Sequence, residues 1–125
     1  MEEVIILHAR IWGELGETSE HYLQSRDRLE SALNRPRFAA YYEQADIYAQ
    51  AATLLWGLIR AHAFLDGNKR IAIKATDAFL VLNGFEIDAA IEDSFDLVIG
   101  IAEGRYDAEA ATRWIRNHLR PVAME

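Results

Sequence analysis

The stretch DIYAQAATLLWGLIRAHAFLDGNKRIAIKATDAFLVLNG, residues 46–84, contains two helical runs separated by a short polar break. In the first, Ile47, Ala51, Leu54, Leu55, Leu58 and Ile59 recur at spacings of three and four and lead to His62. That spacing places them along one side of a helix. Asp66-Gly67 is a turn pair and interrupts the run. A second helix is predicted from Asn68 through Ala72, Ala75, Ala78, Phe79 and Leu82, stopping at Asn83-Gly84, because glycine after a helix takes up the left-handed conformation that ends it.

The connection between the two helices, His62-Ala63-Phe64-Leu65-Asp66-Gly67-Asn68-Lys69-Arg70, carries more chemistry than a connector needs. Its last three residues fall in the first turn of the second helix, where free backbone N–H groups and the positive end of the dipole favour a phosphate. Gly67 leaves room for a phosphate oxygen to approach the backbone. Lys69 and Arg70 add positive charge there, against the dipole, which points to a bound anion, and an arginine grips phosphate oxygens in pairs. Asp66 offers the hard oxygen that Mg²⁺ takes when it arrives with a nucleotide. His62 is the side chain best suited to remove a hydroxyl proton near neutral pH.

Outward from this segment the chain reads as helical throughout. Val4, Leu7, His8, Ile11, Trp12 and Leu15 predict an amphipathic helix over residues 2–15. Residues 17–27 read as a polar loop. A short helix bearing Leu29 and Leu33 is expected to stop before Pro36, since the residue before a proline avoids helical geometry. Residues 35–43 lack a clean period and are expected to form an extended flap. Phe85 to Asp88 reads as a short extended piece. Two further helices follow, one with Phe95, Val98 and Ile101 inside, the other with Ala111, Trp114, Ile115 and His118. No repeat, low-complexity tract or linker divides residues 1–125, so the expectation is one all-α domain of about six helices with a small flap.

Bulk composition narrows the function. Thirteen basic against twenty acidic side chains give a net charge of −7, which argues against a polyanion-binding surface and so against direct contact with nucleic acid. The absence of cysteine excludes disulfides, thiolate metal sites and a cysteine nucleophile, and fits a reducing cytoplasm. Glu2 and Glu3 stand where a signal peptide would be positive, and no apolar run is long enough for a membrane span. No phosphate-binding Walker loop, zinc-protease HExxH, serine elbow GxSxG or dinucleotide fingerprint is present.

His62-x-Phe64-x-Asp66-Gly67-Asn68-Lys69-Arg70 resembles the signature of the Fic/Doc superfamily, HPFx[D/E]GNGR, with the lysine of its Doc ("death on curing") toxin branch at the eighth position. The likeness extends to Leu7-His8 with Ile11, and to Arg26-Asp27 with Leu29 to Leu33 and Arg35-Pro36, similar to the branch's RDxGLLESALxRP stretch. It includes Phe79-Leu80-x-Leu82-Asn83-Gly84 and fades after residue 85. Two departures stand out: Ala63 replaces the usual proline, and Glu17 to Tyr22 replaces a glycine-rich piece.

The resemblance implies a Fic/Doc-type helical bundle and a toxin of a toxin–antitoxin pair that transfers the γ-phosphate of ATP to a threonine of elongation factor Tu, blocking translation. His62 would be the catalytic base and Asp66 the Mg²⁺ ligand. Gly67, Asn68, Lys69 and Arg70 would hold the phosphates, Phe64 would anchor the loop, and the flap would clamp the target as an added strand. A Phd-like antitoxin is the implied partner. Transfer of AMP, the commoner Fic activity, and a degenerate binding module are the alternatives.

Taken singly these residues have plainer roles: His62 a helix-end histidine, Asp66-Gly67 a turn, Asn68 a cap, and Lys69 with Arg70 a solvated first turn. His8 reads as a buried structural histidine, and Trp12, Trp56 and Trp114 as core. His21 and His118 have no evident partners. Many Fic proteins silence themselves with a helix carrying [S/T]xxxE[G/N]. Here the residues four places after each Ser and Thr are Tyr22, Leu23, Leu29, Arg35, Gly57, Leu80, Val98 and Arg116, so control by a separate antitoxin is expected.

Overall fold

The structure is a computed structural model and describes residues 26–61 and 68–122. Among them are five helices: α1 (Arg26–Tyr42), α2 (Ile47–Ala61), α3 (Asn68–Leu82), α4 (Ile91–Ala102) and α5 (Ala108–Asn117). The only strands among the described residues are β1 (Phe85–Ile87) and β2 (Leu119–Pro121), and the fold is all-α. The expected helix over 2–15, with His8 and Trp12, lies outside the described residues, as does His21. No helix of the described residues is long and apolar enough to cross a membrane.

Helix α2 is the centre. Ala51, Ala52, Leu54, Leu55, Gly57, Leu58 and Ile59 are buried, which spreads over more than one face. A helix apolar on several sides must be covered on several sides, and α1, α3 and α5 all pack on α2. Asp46 starts it: its Oδ1 accepts the Ala49 N–H at 2.9 Å, one of the free donors of a first turn. Helix α3 lays Ile71, Ala72, Ala75, Thr76, Phe79 and Leu80 into the same core. It ends as expected at Gly84, whose φ is 90°.

The predicted break at Pro36 and the flap over 35–43 are not found. Helix α1 starts inside the expected loop, at Arg26, and runs through Pro36 to Tyr42. Proline inside a helix removes one backbone hydrogen bond and costs about 3 kcal/mol. Here the apolar positions on either side of it form one stripe. Leu29, Ala32, Leu33, Pro36 and Ala39 are all buried, and burying a leucine alone stabilises by about 1.5–3 kcal/mol. Tertiary packing outweighs the local preference. The helix closes instead at Gln44, whose left-handed φ of 54° lets the Ala45 N–H donate to the Ala39 carbonyl at 3.1 Å.

Three smaller expectations also change. Phe95 is 61% exposed rather than inside, and Leu97, Val98 and Ile101 carry the buried face of α4. His118 lies just past α5 and not within it, where its Nδ1–H donates to the Trp114 carbonyl at 2.7 Å and its ring stacks on that indole. Trp56 and Trp114 are half-buried rather than core residues proper. Strand β2 has no counterpart in the sequence reading. It pairs antiparallel with β1, Phe85 opposite Pro121 and Ile87 opposite Leu119.

Candidate active site

The last turn of α2 and the first turn of α3 flank the nine-residue segment. Helix α2 runs to Ala61, immediately before His62, and α3 begins at Asn68. The structure therefore places Asn68, Lys69 and Arg70 in the first turn of a fifteen-residue helix, as the sequence predicts. His62, Phe64, Asp66 and Gly67 lie outside the described residues.

Three residues of that first turn face outward or to the margin of the core. Asn68 is half-buried, Lys69 and Arg70 are exposed, and Ile71 and Ala72 directly behind them are buried. The buried pair fixes the helix on α2, so the two cations are held at its positive end and cannot drift along the surface with a loose loop. Among the described residues neither has a carboxylate within ion-pair distance. That is notable where twenty acidic side chains are available. The first turn of a helix with two cations of this kind suits the oxygens of a polyphosphate.

Among the described residues no three His, Asp or Glu side chains gather as a group that could hold a metal. A single carboxylate, such as Asp66 offers, suits Mg²⁺, which commonly takes most of its ligands from water and substrate phosphates. The donor chemistry therefore fits a metal that enters with a nucleotide.

The sequence reading missed a second set of residues close to this segment. Arg35 of α1 and Arg60 of α2 both approach the ring of Trp56, at 6.0 and 5.8 Å from its centroid. Trp56 and Arg60 are four residues apart and share a face of α2, but Arg35 is far from both in sequence and no spacing links it to them. A surplus of arginine around residues 26–37, namely Arg26, Arg28, Arg35 and Arg37, was the one available signal.

Comparison with known proteins defines the class. A sequence profile described as the Fic/DOC family matches residues 1–80. The chain is 30% identical over 120 residues to "Protein kinase doc" of Escherichia phage P1, covering 92% of this chain and 90% of that protein. It is 35% identical over 86 residues to "Toxin Doc" of Mycolicibacterium smegmatis, covering 66% of each. The chain belongs to the Fic/DOC family.

Proposed function

We propose that the protein is a Doc-type toxin of a toxin–antitoxin pair, acting in the cytoplasm as an ATP-dependent phosphotransferase on a hydroxyl side chain of a protein. The observation that carries this is the first turn of α3, where Lys69 and Arg70 stand exposed and, among the described residues, without carboxylate partners, at the end of the segment that begins with His62. The names of the two relatives, a toxin and a protein kinase, support the same reading. A threonine of elongation factor Tu is the proposed target, and a Phd-like antitoxin the proposed partner.

His62 takes the proton of the target hydroxyl as its oxygen bonds to the γ-phosphorus and the bridge to the β-phosphate breaks, leaving ADP. Asn68, Lys69, Arg70 and the backbone at Gly67 hold the phosphates, and their donors offset charge on the transferring group. Asp66 holds Mg²⁺, which neutralises phosphate charge when bound. Phe64 anchors the segment to the core.

Lys69 favours phosphoryl over AMP transfer. Glycine here would leave the helix start bare, so that a nucleotide's inner phosphates could settle on the backbone with the α-phosphate toward His62. Four methylenes and an ammonium crowd that pose while attracting phosphate oxygens from another side, which turns the γ-phosphate toward the histidine.

The test is incubation of the purified protein with bacterial lysate and ATP labelled at either the γ- or the α-phosphate. Label from the γ-position alone is expected on one protein, with the mass of one phosphoryl group. Lys69→Gly should weaken that reaction. An AMP adduct made by the wild type would overturn the kinase assignment.

A further inference from the structure

Helices α1 and α2 cross closely where Ala32 meets Gly57: a methyl group on Gly57 would stand 3.7 Å from the Ala32 Cβ and 3.8 Å from the Arg35 Cδ. Beside this crossing the helices leave a groove of about 570 Å³. Asp27, Arg28 and Arg35 line it from α1, and Trp56, Arg60 and Ala61 from α2. Among the described residues of this lining, Arg35 and Arg60 bring two guanidinium groups and Asp27 one carboxylate, in a protein whose net charge is −7.

Arg35 and Arg60 are exposed, and among the described residues neither forms an ion pair. Other arginines of the same chain do find carboxylates: Arg105 pairs with Glu103, Arg116 with Asp46, and Arg120 with Glu86, at 3.0, 3.1 and 2.7 Å. Among the described residues lining this groove, Asp27 is the one carboxylate. Two like charges drawn to one indole repel each other. An exposed cation–π contact contributes only about 0.5–1 kcal/mol, so an anion between them would be welcomed.

We propose that this groove docks an acidic segment of the protein substrate, with two of its carboxylates on Arg35 and Arg60 and its backbone over Trp56 and Ala61. The proposal rests on the transferase reading of the His62 segment, and it names a feature of the substrate that this reading leaves open. The groove's lining reaches Ala61, the residue before His62, so a chain held there lies beside the segment that must receive the hydroxyl. A nucleotide is the poorer occupant, because two guanidinium groups already occupy the surroundings of the indole and the phosphate-binding turn lies on a different helix, α3. Arginine suits the task, since its planar fork pairs with carboxylate in two hydrogen bonds.

The probe is a fluorescein-labelled peptide alternating paired glutamates with glycine, compared by anisotropy with its glutamine counterpart. Wild type should bind the glutamate peptide saturably, weaken as salt is raised, and ignore the glutamine peptide. Arg35→Gln/Arg60→Gln should weaken binding about fivefold, the loss of two surface ion pairs, whereas Arg35→Lys/Arg60→Lys should keep part of it. His62→Ala and Lys69→Gln/Arg70→Gln should bind as wild type does. In the γ-phosphate labelling reaction, the double glutamine variant should raise KM for the protein substrate and hold kcat.

Equal binding by the double glutamine variant, or displacement of the peptide by ATP, would overturn the docking site. So would normal labelling by that variant together with lost capture by the antitoxin, which would make the groove the antitoxin's. Peptide binding needs no phosphoryl transfer, so a wild type without γ-label incorporation would sink the transferase reading alone, and the anisotropy would still decide whether the groove takes acidic chains.

Discussion

Lys69 and Arg70 stand where an isolated helix would carry acidic residues, since the positive end of the dipole repels cations by about 0.3–1 kcal/mol each. A bound polyphosphate reverses that sign, so ligand should raise the protein's stability. His62 is the base in the proposed reaction. His62→Ala should lower turnover by roughly 10²–10⁴-fold, about 3–5 kcal/mol of barrier, while circular dichroism and the melting midpoint stay as in wild type. Full γ-label transfer by a folded His62→Ala protein would remove the histidine from the mechanism. The place of Lys69 and Arg70 in a first helical turn was legible, because the Asp66-Gly67 turn pair precedes them and an apolar period follows. The approach of Arg35 to Trp56 and Arg60 was not, because only the crossing of α1 and α2 brings it to that pair.

Among the elements, α2 and α3 could be bounded from sequence almost to the residue, since each carries an unbroken period, Asp66-Gly67 divides them and Asn83-Gly84 closes the second. Helix α1 could not, because a proline is a strong local stop and its burial against α2 is a fact of the whole fold. Of the ribbon, β1 was read as a short extended piece, whereas β2 escaped because its three residues carry no period of their own. The turn between α4 and α5 supports a prediction of its own. The Gly100 carbonyl accepts the N–H groups of Arg105 and Tyr106 at 2.7 and 3.1 Å, and the Tyr106 hydroxyl donates to Asp96 at 3.1 Å. The ring is thereby laid across Gly100, and a methyl group there would overlap its Cδ2 and Cε2. Gly100→Ala should cost about 1–3 kcal/mol, the usual penalty of overpacking, read as a shift in the urea midpoint. An unchanged midpoint would mean that the ring can move aside freely.

At the scale of the molecule, Asp46 ties distant parts together. One oxygen caps α2 through the Ala49 N–H, and the other accepts from Arg116 of α5 at 3.1 Å. The Ala49 N–H foremost holds this carboxyl below the usual aspartate range; desolvation opposes it, and the Arg116 guanidinium adds to the lowering. A carboxyl with a lowered folded pKa contributes stability that is present above its unfolded pKa and is lost as pH falls through the folded one. Asp46→Ala should therefore cost about 0.5–2 kcal/mol at pH 7, mostly the cap, and the difference from wild type should shrink as the pH falls below the ordinary aspartate range. Asp46→Asn keeps a capping oxygen and gives up only the half-exposed ion pair, so its loss should stay under about 1 kcal/mol. An equal loss in both variants would assign the effect to the ion pair.

The ribbon has a further consequence for α3. Gly84 and Val122 are joined by a 2.9 Å hydrogen bond, Asp88 donates to His118, and β1 packs on α3. A helix of fifteen residues is about 22 Å long, and α3 is braced at both ends of that span, by the ribbon beside Gly84 and by Ile71 and Ala72 in the core beside Lys69. Residues 118–122, remote in sequence, thus form the second anchorage of the helix that carries Lys69 and Arg70.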